Sequence, residues 1–64
     1  MTAPPVPYAE QLECAERELR LRQRVYPRRV SDGKMTQALA DREIARMEAI
    51  IETLRPLAEG ERLI

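Results

Sequence analysis

The sequence predicts an all-α protein, a two-helix antiparallel hairpin that is expected to dimerise into a four-helix bundle. Two stretches with apolar residues at helical spacing and a short glycine-containing segment between them predict the hairpin. A chain of 64 residues buries only about 60% of the surface that its unfolded form exposes. Folds of this size usually need a disulfide, a metal or association for support. The chain has one cysteine and no histidine, so an internal disulfide and the common zinc sites are excluded. Association is the support that remains.

The first part of the chain predicts an arm followed by helix 1. Residues 1–7 contain three prolines, which favour a flexible, extended arm. Helix 1 is predicted over about residues 8–30. Pro27 leaves two alternatives: the helix ends near Tyr26, or it continues with a kink to Val30. Continuation is favoured because the apolar spacing persists beyond the proline. The residues that share the main apolar face of helix 1 are Tyr8, Leu12, Ala15, Leu19, Tyr26 and Val30.

The second part of the chain predicts a turn and helix 2. The turn spans about residues 31–35, and Gly33 suits the left-handed position after a helix. Helix 2 is predicted over about residues 36–58, with Thr36 as its N-cap. Pro56 and Gly60 indicate its end, so residues 59–64 are expected to form a frayed tail. Heptad spacing places one seam along helix 2, consisting of Ala40, Ile44, Met47, Ile51, Leu54 and Ala58.

Helix 1 also carries a second apolar stripe, formed by Cys14, Leu21 and Val25, away from its main face. A lone hairpin gives helix 1 only one neighbouring helix, so the second stripe predicts contact with another protomer. The alternative is that these are ordinary exposed apolar residues. The residues predicted to form the core or the self-association seam are Leu12, Leu19, Leu21, Val25, Ile44, Met47, Ile51 and Leu54.

Charge is balanced overall but unevenly distributed. Eleven basic residues match eleven acidic ones, which argues against general attraction to nucleic acid or membranes. Residues 17–34, however, contain seven basic and two acidic residues. This basic region could contact phosphates, dock on an acidic protein or the acidic ends of a neighbouring hairpin, or form a solvated face. The candidate partner-binding residues are Arg20, Arg22, Arg24, Tyr26, Arg28 and Arg29.

The residue content argues against catalysis. The chain has no histidine and one cysteine, so it lacks nearly all the side chains that commonly serve as general bases or as paired nucleophile and base. We therefore expect no enzymatic activity, no small-molecule substrate, no cofactor and no metal site. No apolar run is long enough for a membrane span, and a signal peptide is not expected. The single cysteine favours the cytoplasm.

The segment from Glu18 to Arg55 resembles small proteins encoded by proteobacterial phages and prophages. The shared features are an arginine-rich helix, the Tyr26-Pro27 step, a short glycine turn and a helix resembling REIARMEAI. This resemblance implies an accessory protein in an infected bacterial cytoplasm and, by analogy, a host or phage protein as its partner. The predicted function is a self-associating protein interaction module. A nucleic-acid-binding accessory protein that uses Arg17 to Lys34 is the alternative.

Overall fold

The computed structural model describes residues 5–62, which form two helices, α1 (Tyr8–Ser31) and α2 (Gln37–Arg62). The helices pack against each other in opposite directions, and residues 5–62 include no strand. The predicted all-helical hairpin is therefore confirmed. Residues 1–4 of the predicted arm and residues 63–64 of the predicted tail lie outside the described residues.

The turn between the helices follows from two local signals. Gly33 adopts a φ of 73°, a left-handed conformation that favours glycine because it has no Cβ. The amides of Asp32 and Lys34 donate to the carbonyl oxygens of Arg28 and Arg29 at 2.9 Å, which satisfies the C-terminal carbonyls of α1. The Thr36 hydroxyl then accepts a hydrogen bond from the Leu39 amide at 3.1 Å. Thr36 is thus the N-cap that the sequence predicted.

Both helices continue through a proline. Pro27 lies inside α1 and Pro56 inside α2, and both rings are exposed. Each proline lacks an amide hydrogen, but on an exposed face the carbonyl left without its helical partner can bind water instead. Because α2 continues through Pro56 to Arg62, the predicted end of helix 2 at about residue 58 was wrong. Residues 59–62, which were predicted to fray, belong to α2.

Glu61 in this last turn of α2 caps the beginning of α1. Its carboxylate oxygens accept hydrogen bonds from the backbone amides of Tyr8 and Ala9 at 2.7 and 2.9 Å. The first amides of a helix have no partner within it, and they lie at the positive end of the helix dipole. One carboxylate therefore satisfies two such amides and closes the open end of the hairpin.

The core between the helices is small. Within the described part of the chain, the buried apolar side chains are those of Ala15, Ala40, Ile51 and Ala58. Alanines at these positions let the helix backbones approach closely, but each contributes little apolar surface. The larger residues beside them are only half-buried, namely Leu12, Leu19, Tyr26, Val30, Ile44, Met47 and Leu54. The hairpin alone thus leaves much of its apolar surface in contact with water.

Candidate interaction surfaces

One broad face of the hairpin carries most of its exposed large apolar side chains. On α1, Leu21 is 42% exposed and Val25 36%; Leu21 follows Cys14 by two helical turns. On α2, Leu39, Ile50 and Leu57 are each more than 40% exposed. Intervals of four, seven and eleven residues keep side chains on one side of a helix. We define the apolar face as Cys14, Leu21, Val25, Leu39, Ile50 and Leu57.

The stripes of the two helices meet at the open end of the hairpin. Cys14 of α1 and Ile50 of α2 line one open concavity of about 670 Å³ between the helices. Its floor and walls are mainly apolar, with Ala15, Met47 and Leu54 among the lining residues. The two stripes therefore form one surface that includes side chains from both helices.

An ion-pair network crosses the middle of this face. The Arg22 guanidinium donates to the Glu18 carboxylate at 3.0 Å and to the backbone carbonyl of Glu43 at 2.8 Å. Arg46 donates to the Glu43 carboxylate at 3.0 Å. Only about a fifth of the Arg22 side chain is exposed. These charges already have partners within the chain, so covering them would leave no charge isolated.

The opposite broad face is polar. A shallow groove on it is lined by Leu19, Ile51 and charged residues of α2, and the Glu16 carboxylate lies 3.9 Å from the Arg55 guanidinium. Helical spacing places four exposed acidic residues on the α2 side of this face, namely Asp41, Glu48, Glu52 and Glu59. The two broad faces therefore differ in character, and the first is the better suited to burial against protein.

A row of arginines runs along the outer edge of α1, away from α2. Arg17, Arg20, Arg24 and Arg28 are exposed and follow one another at intervals of three or four residues, which places them in one line. Arg28 lies 3.9 Å from Asp32. The ion pairs found within residues 5–62 do not include the other three. We call this row the arginine edge.

The predicted association residues fall into two groups. Leu21 and Val25 are exposed on the apolar face, as association requires. The others lie in the interior of the hairpin: Ile51 is buried, and Leu12, Leu19, Ile44, Met47 and Leu54 are half-buried. For these six residues, packing within the chain accounts for the apolar pattern.

The predicted partner-binding residues also separate. Arg20, Arg24, Arg28 and Arg29 are exposed, whereas Tyr26 is half-buried. Arg22 differs from the other arginines because it faces α2 and is held by Glu18 and Glu43. Its prediction as a residue available to a partner is therefore corrected to a role within the hairpin.

Sequence reasoning missed the contribution of α2 to the apolar face. Leu39, Ile50 and Leu57 lie outside the predicted seam of helix 2, and the structure shows that they are exposed. The interval from Leu39 to Ile50 is eleven residues, the same as that from Cys14 to Val25. This shared interval was the feature of the sequence that could have indicated matching apolar stripes on the two helices. Glu61 was missed as well, and nothing in its local sequence reveals a cap on the other helix.

Other kinds of site find no support in residues 5–62. No cluster of three or more histidine, cysteine or acidic residues there could hold a metal ion. Over the same residues, neither helix has a stretch long and apolar enough to cross a lipid bilayer. Comparison with protein families, with curated proteins and with solved structures found no match to this chain.

Proposed function

We propose that this chain is a protein interaction module that self-associates through its apolar face and, once assembled, binds a host or phage protein. The observation that carries the proposal is the distribution of apolar side chains. Four residues are buried inside the described hairpin, three of them alanines, while five large apolar side chains lie exposed on one face. A surface of this kind on a small protein favours association.

A second copy is the partner best supported by the shape and chemistry of this face. The face is broad and drawn from both helices, so an identical face can cover it in a two-fold arrangement. Burying the exposed part of each leucine, isoleucine or valine would contribute about 0.5–1 kcal/mol. Ten such side chains per dimer offset a substantial part of the entropy lost on association. We therefore expect a dimer that dissociates on dilution.

Sedimentation equilibrium over a range of micromolar concentrations tests this proposal. The expected result is a mass that rises with concentration from 7.4 kDa to twice that value. Leu21→Glu should yield a folded monomer, because the substitution removes an apolar contact and replaces it with a carboxylate that is more stable in water beside Arg17, Arg20 and Arg24 than buried against a second copy. Gln23→Glu is the matched control, since it adds the same charge to an exposed position of α1 outside the apolar face.

Two results would contradict the proposal. If the wild-type chain were a monomer at every concentration, the proposed self-association would be wrong. A Leu21→Glu variant that dimerises as well as Gln23→Glu would show that association does not use this face. Circular dichroism of both variants distinguishes a folded monomer from an unfolded chain.

Nucleic-acid binding through the arginine edge is the second candidate, and one observation favours it. Arg17, Arg20 and Arg24 point to solvent in one line, and neighbouring like charges at this spacing repel one another by a few tenths of a kcal/mol per pair. A row of phosphates would relieve that repulsion and accept bidentate hydrogen bonds from the guanidinium groups.

Salt dependence tests this second candidate. Binding to duplex DNA should weaken steeply between about 50 and 200 mM salt, as expected for phosphate contacts. Arg24→Gln should weaken the binding and reduce the salt slope by about one contact. Arg42→Gln, an exposed arginine of α2, is the control and should change little. Binding that is absent at low salt, or that is equally weakened by both substitutions, would exclude the arginine edge as a phosphate-binding surface.

A further inference from the structure

We infer that the outer side of α1 binds a helix of a partner protein that carries acidic residues opposite its arginines and basic residues opposite the glutamates that precede them. This inference rests on the proposed role of the chain as a protein interaction module, and it names the chemistry of the partner. It follows from the order of charges along one side of α1 and from the apolar residue beside them.

Five exposed charged residues form one line on the outer side of α1. They are Glu10, Glu13, Arg17, Arg20 and Arg24, which we call the charged line. Successive members are separated by three, four, three and four residues, a spacing that keeps side chains in one line along a helix. At about 1.5 Å per residue, the line is about 21 Å long. Its first two members are acidic and its last three are basic.

The charged line takes no part in the ion pairs found within residues 5–62. Glu13 and Arg17 are four residues apart, which allows a pair along a helix, yet these ion pairs do not include them. The line faces away from α2 and from the centre of the apolar face. It therefore stays accessible when a second copy covers the apolar face, and a partner can reach it on the monomer and on the dimer.

An apolar residue lies beside the basic part of the line. Arg17, Arg20 and Arg24 line an open concavity of about 400 Å³ together with Leu21, which is 42% exposed. A leucine or methionine side chain of the partner fits beside Leu21, and neighbouring carboxylates reach the guanidinium groups. The aliphatic stems of the arginines add further apolar contact. A helix with acidic and apolar residues on one side supplies both kinds of group.

The order of charges favours a protein over a nucleic acid. Phosphates repeat without interruption along a strand, so a strand that follows the line would place negative charge against Glu10 and Glu13. A helix can instead carry lysines opposite these glutamates and carboxylates opposite the arginines, at the same spacing of three and four residues. The change of sign along the line then fixes the direction in which the partner helix lies.

A second copy matches the line less completely. Laid antiparallel on α1, it pairs Glu10 with Arg20, and Glu13 pairs with Arg17 beside them. Arg24 then lies at the level of about residue 6 of the second copy, where the sequence has no acidic side chain. A separate helix can provide a carboxylate for all three arginines.

An NMR titration of the isotope-labelled full chain with a synthetic peptide tests this inference. The peptide is an alanine-rich helix of about 21 residues with three glutamates followed by two lysines at intervals of three and four residues, and a leucine beside the glutamates. At about 50 mM salt it should shift the amides of residues 10–24 saturably, since exposed charge pairs are weak and are screened least at low salt. A peptide of the same composition with alternating glutamates and lysines is the control. It should bind several-fold more weakly.

Exchange of the central charge pair provides a second readout. The middle glutamate of the peptide faces Arg20, an exposed position, so Arg20→Glu should weaken binding about three- to tenfold. A peptide with lysine in place of that glutamate should restore the binding to this variant. Arg42→Glu makes the same change at an exposed position of α2 and should alter binding by less than about twofold.

Several results would overturn the inference. These are the absence of shifts at millimolar peptide, equal binding of both peptides, shifts centred on Leu39, Ile50 and Leu57, and failure of the exchanged peptide to restore binding to Arg20→Glu. Duplex DNA that binds residues 10–24 more tightly than the peptide at the same salt would assign the line to phosphates. A dimer that Arg20→Glu dissociates would assign the line to a second copy.

This inference and the proposed self-association fail separately. A chain that is monomeric in sedimentation but binds the peptide along the charged line loses only the self-association. A dimer that does not bind the peptide loses only the inferred partner. A dimer that binds the peptide along the charged line supports both.

Discussion

The cap that α2 places on α1 gives a sharp prediction about stability. Glu61→Ala removes the carboxylate that accepts hydrogen bonds from the amides of Tyr8 and Ala9 at 2.7 and 2.9 Å. No other side chain in the described residues binds these two amides. The substitution should therefore loosen the first turn of α1 and the contact between the two ends of the chain.

The magnitude follows from the type of contact. Loss of an N-capping side chain costs about 0.5–2 kcal/mol, and a carboxylate at a helix N-terminus adds about 0.3–1 kcal/mol through the dipole. Since Glu61 is only half-buried, we expect a total of about 1–2 kcal/mol. For a domain of this size, that loss corresponds to a fall in Tm of roughly 5–15 °C.

Thermal unfolding followed by circular dichroism measures this loss. Glu59→Ala is the matched control, because Glu59 lies in the same last turns of α2, is exposed, and has no hydrogen bond to α1 among the described contacts. Its Tm should change by no more than about 3 °C. Both proteins must be compared at one concentration, since dimerisation would make Tm concentration-dependent. Equal losses in the two variants would refute the capping role of Glu61.

Four further substitutions test the fold by the same measurement. Ile51→Ala should cost about 2–4 kcal/mol, because Ile51 is the one large side chain among the buried residues described; a loss below about 1 kcal/mol would contradict this core. Gly33→Ala should destabilise by about 1 kcal/mol because φ is 73°, whereas Gly60→Ala should stabilise by about 0.5–1 kcal/mol, since Gly60 is helical with open space around it. The reverse order of these two glycine variants would refute the assigned conformations. Thr36→Ala should cost about 1 kcal/mol through loss of its bond to the Leu39 amide, and an unchanged Tm would show that the cap contributes nothing.

Much of the fold could be predicted from the sequence because its signals are local. Apolar spacing predicts both helices, Gly33 predicts the left-handed turn residue, and Thr36 predicts the N-cap. Local signals also explain the error at Pro56 and Gly60. Both residues disfavour helix, but each contributes a limited cost that packing and the contacts of Glu61 can exceed.

The candidate surfaces could be predicted only in part. The second stripe on helix 1 was visible as Cys14, Leu21 and Val25 because it lies within one helix. Its continuation on α2 was not, because periodicity alone does not determine which side of the seam Leu39 and Ile50 occupy in the hairpin. The same limit applies to Arg22, whose partner Glu43 is on the other helix.

The sequence by itself determined the two helices, the turn and the presence of more apolar surface than one hairpin can bury. Those properties depend on residues a few positions apart, so the spacing along the chain contains them. The tertiary structure decided that the apolar stripes of both helices share one face, that Arg22 is engaged within the chain and that Glu61 caps α1. Each of these depends on how far the helices are rotated about their axes and how they are aligned. That alignment arises from packing between residues distant in the sequence.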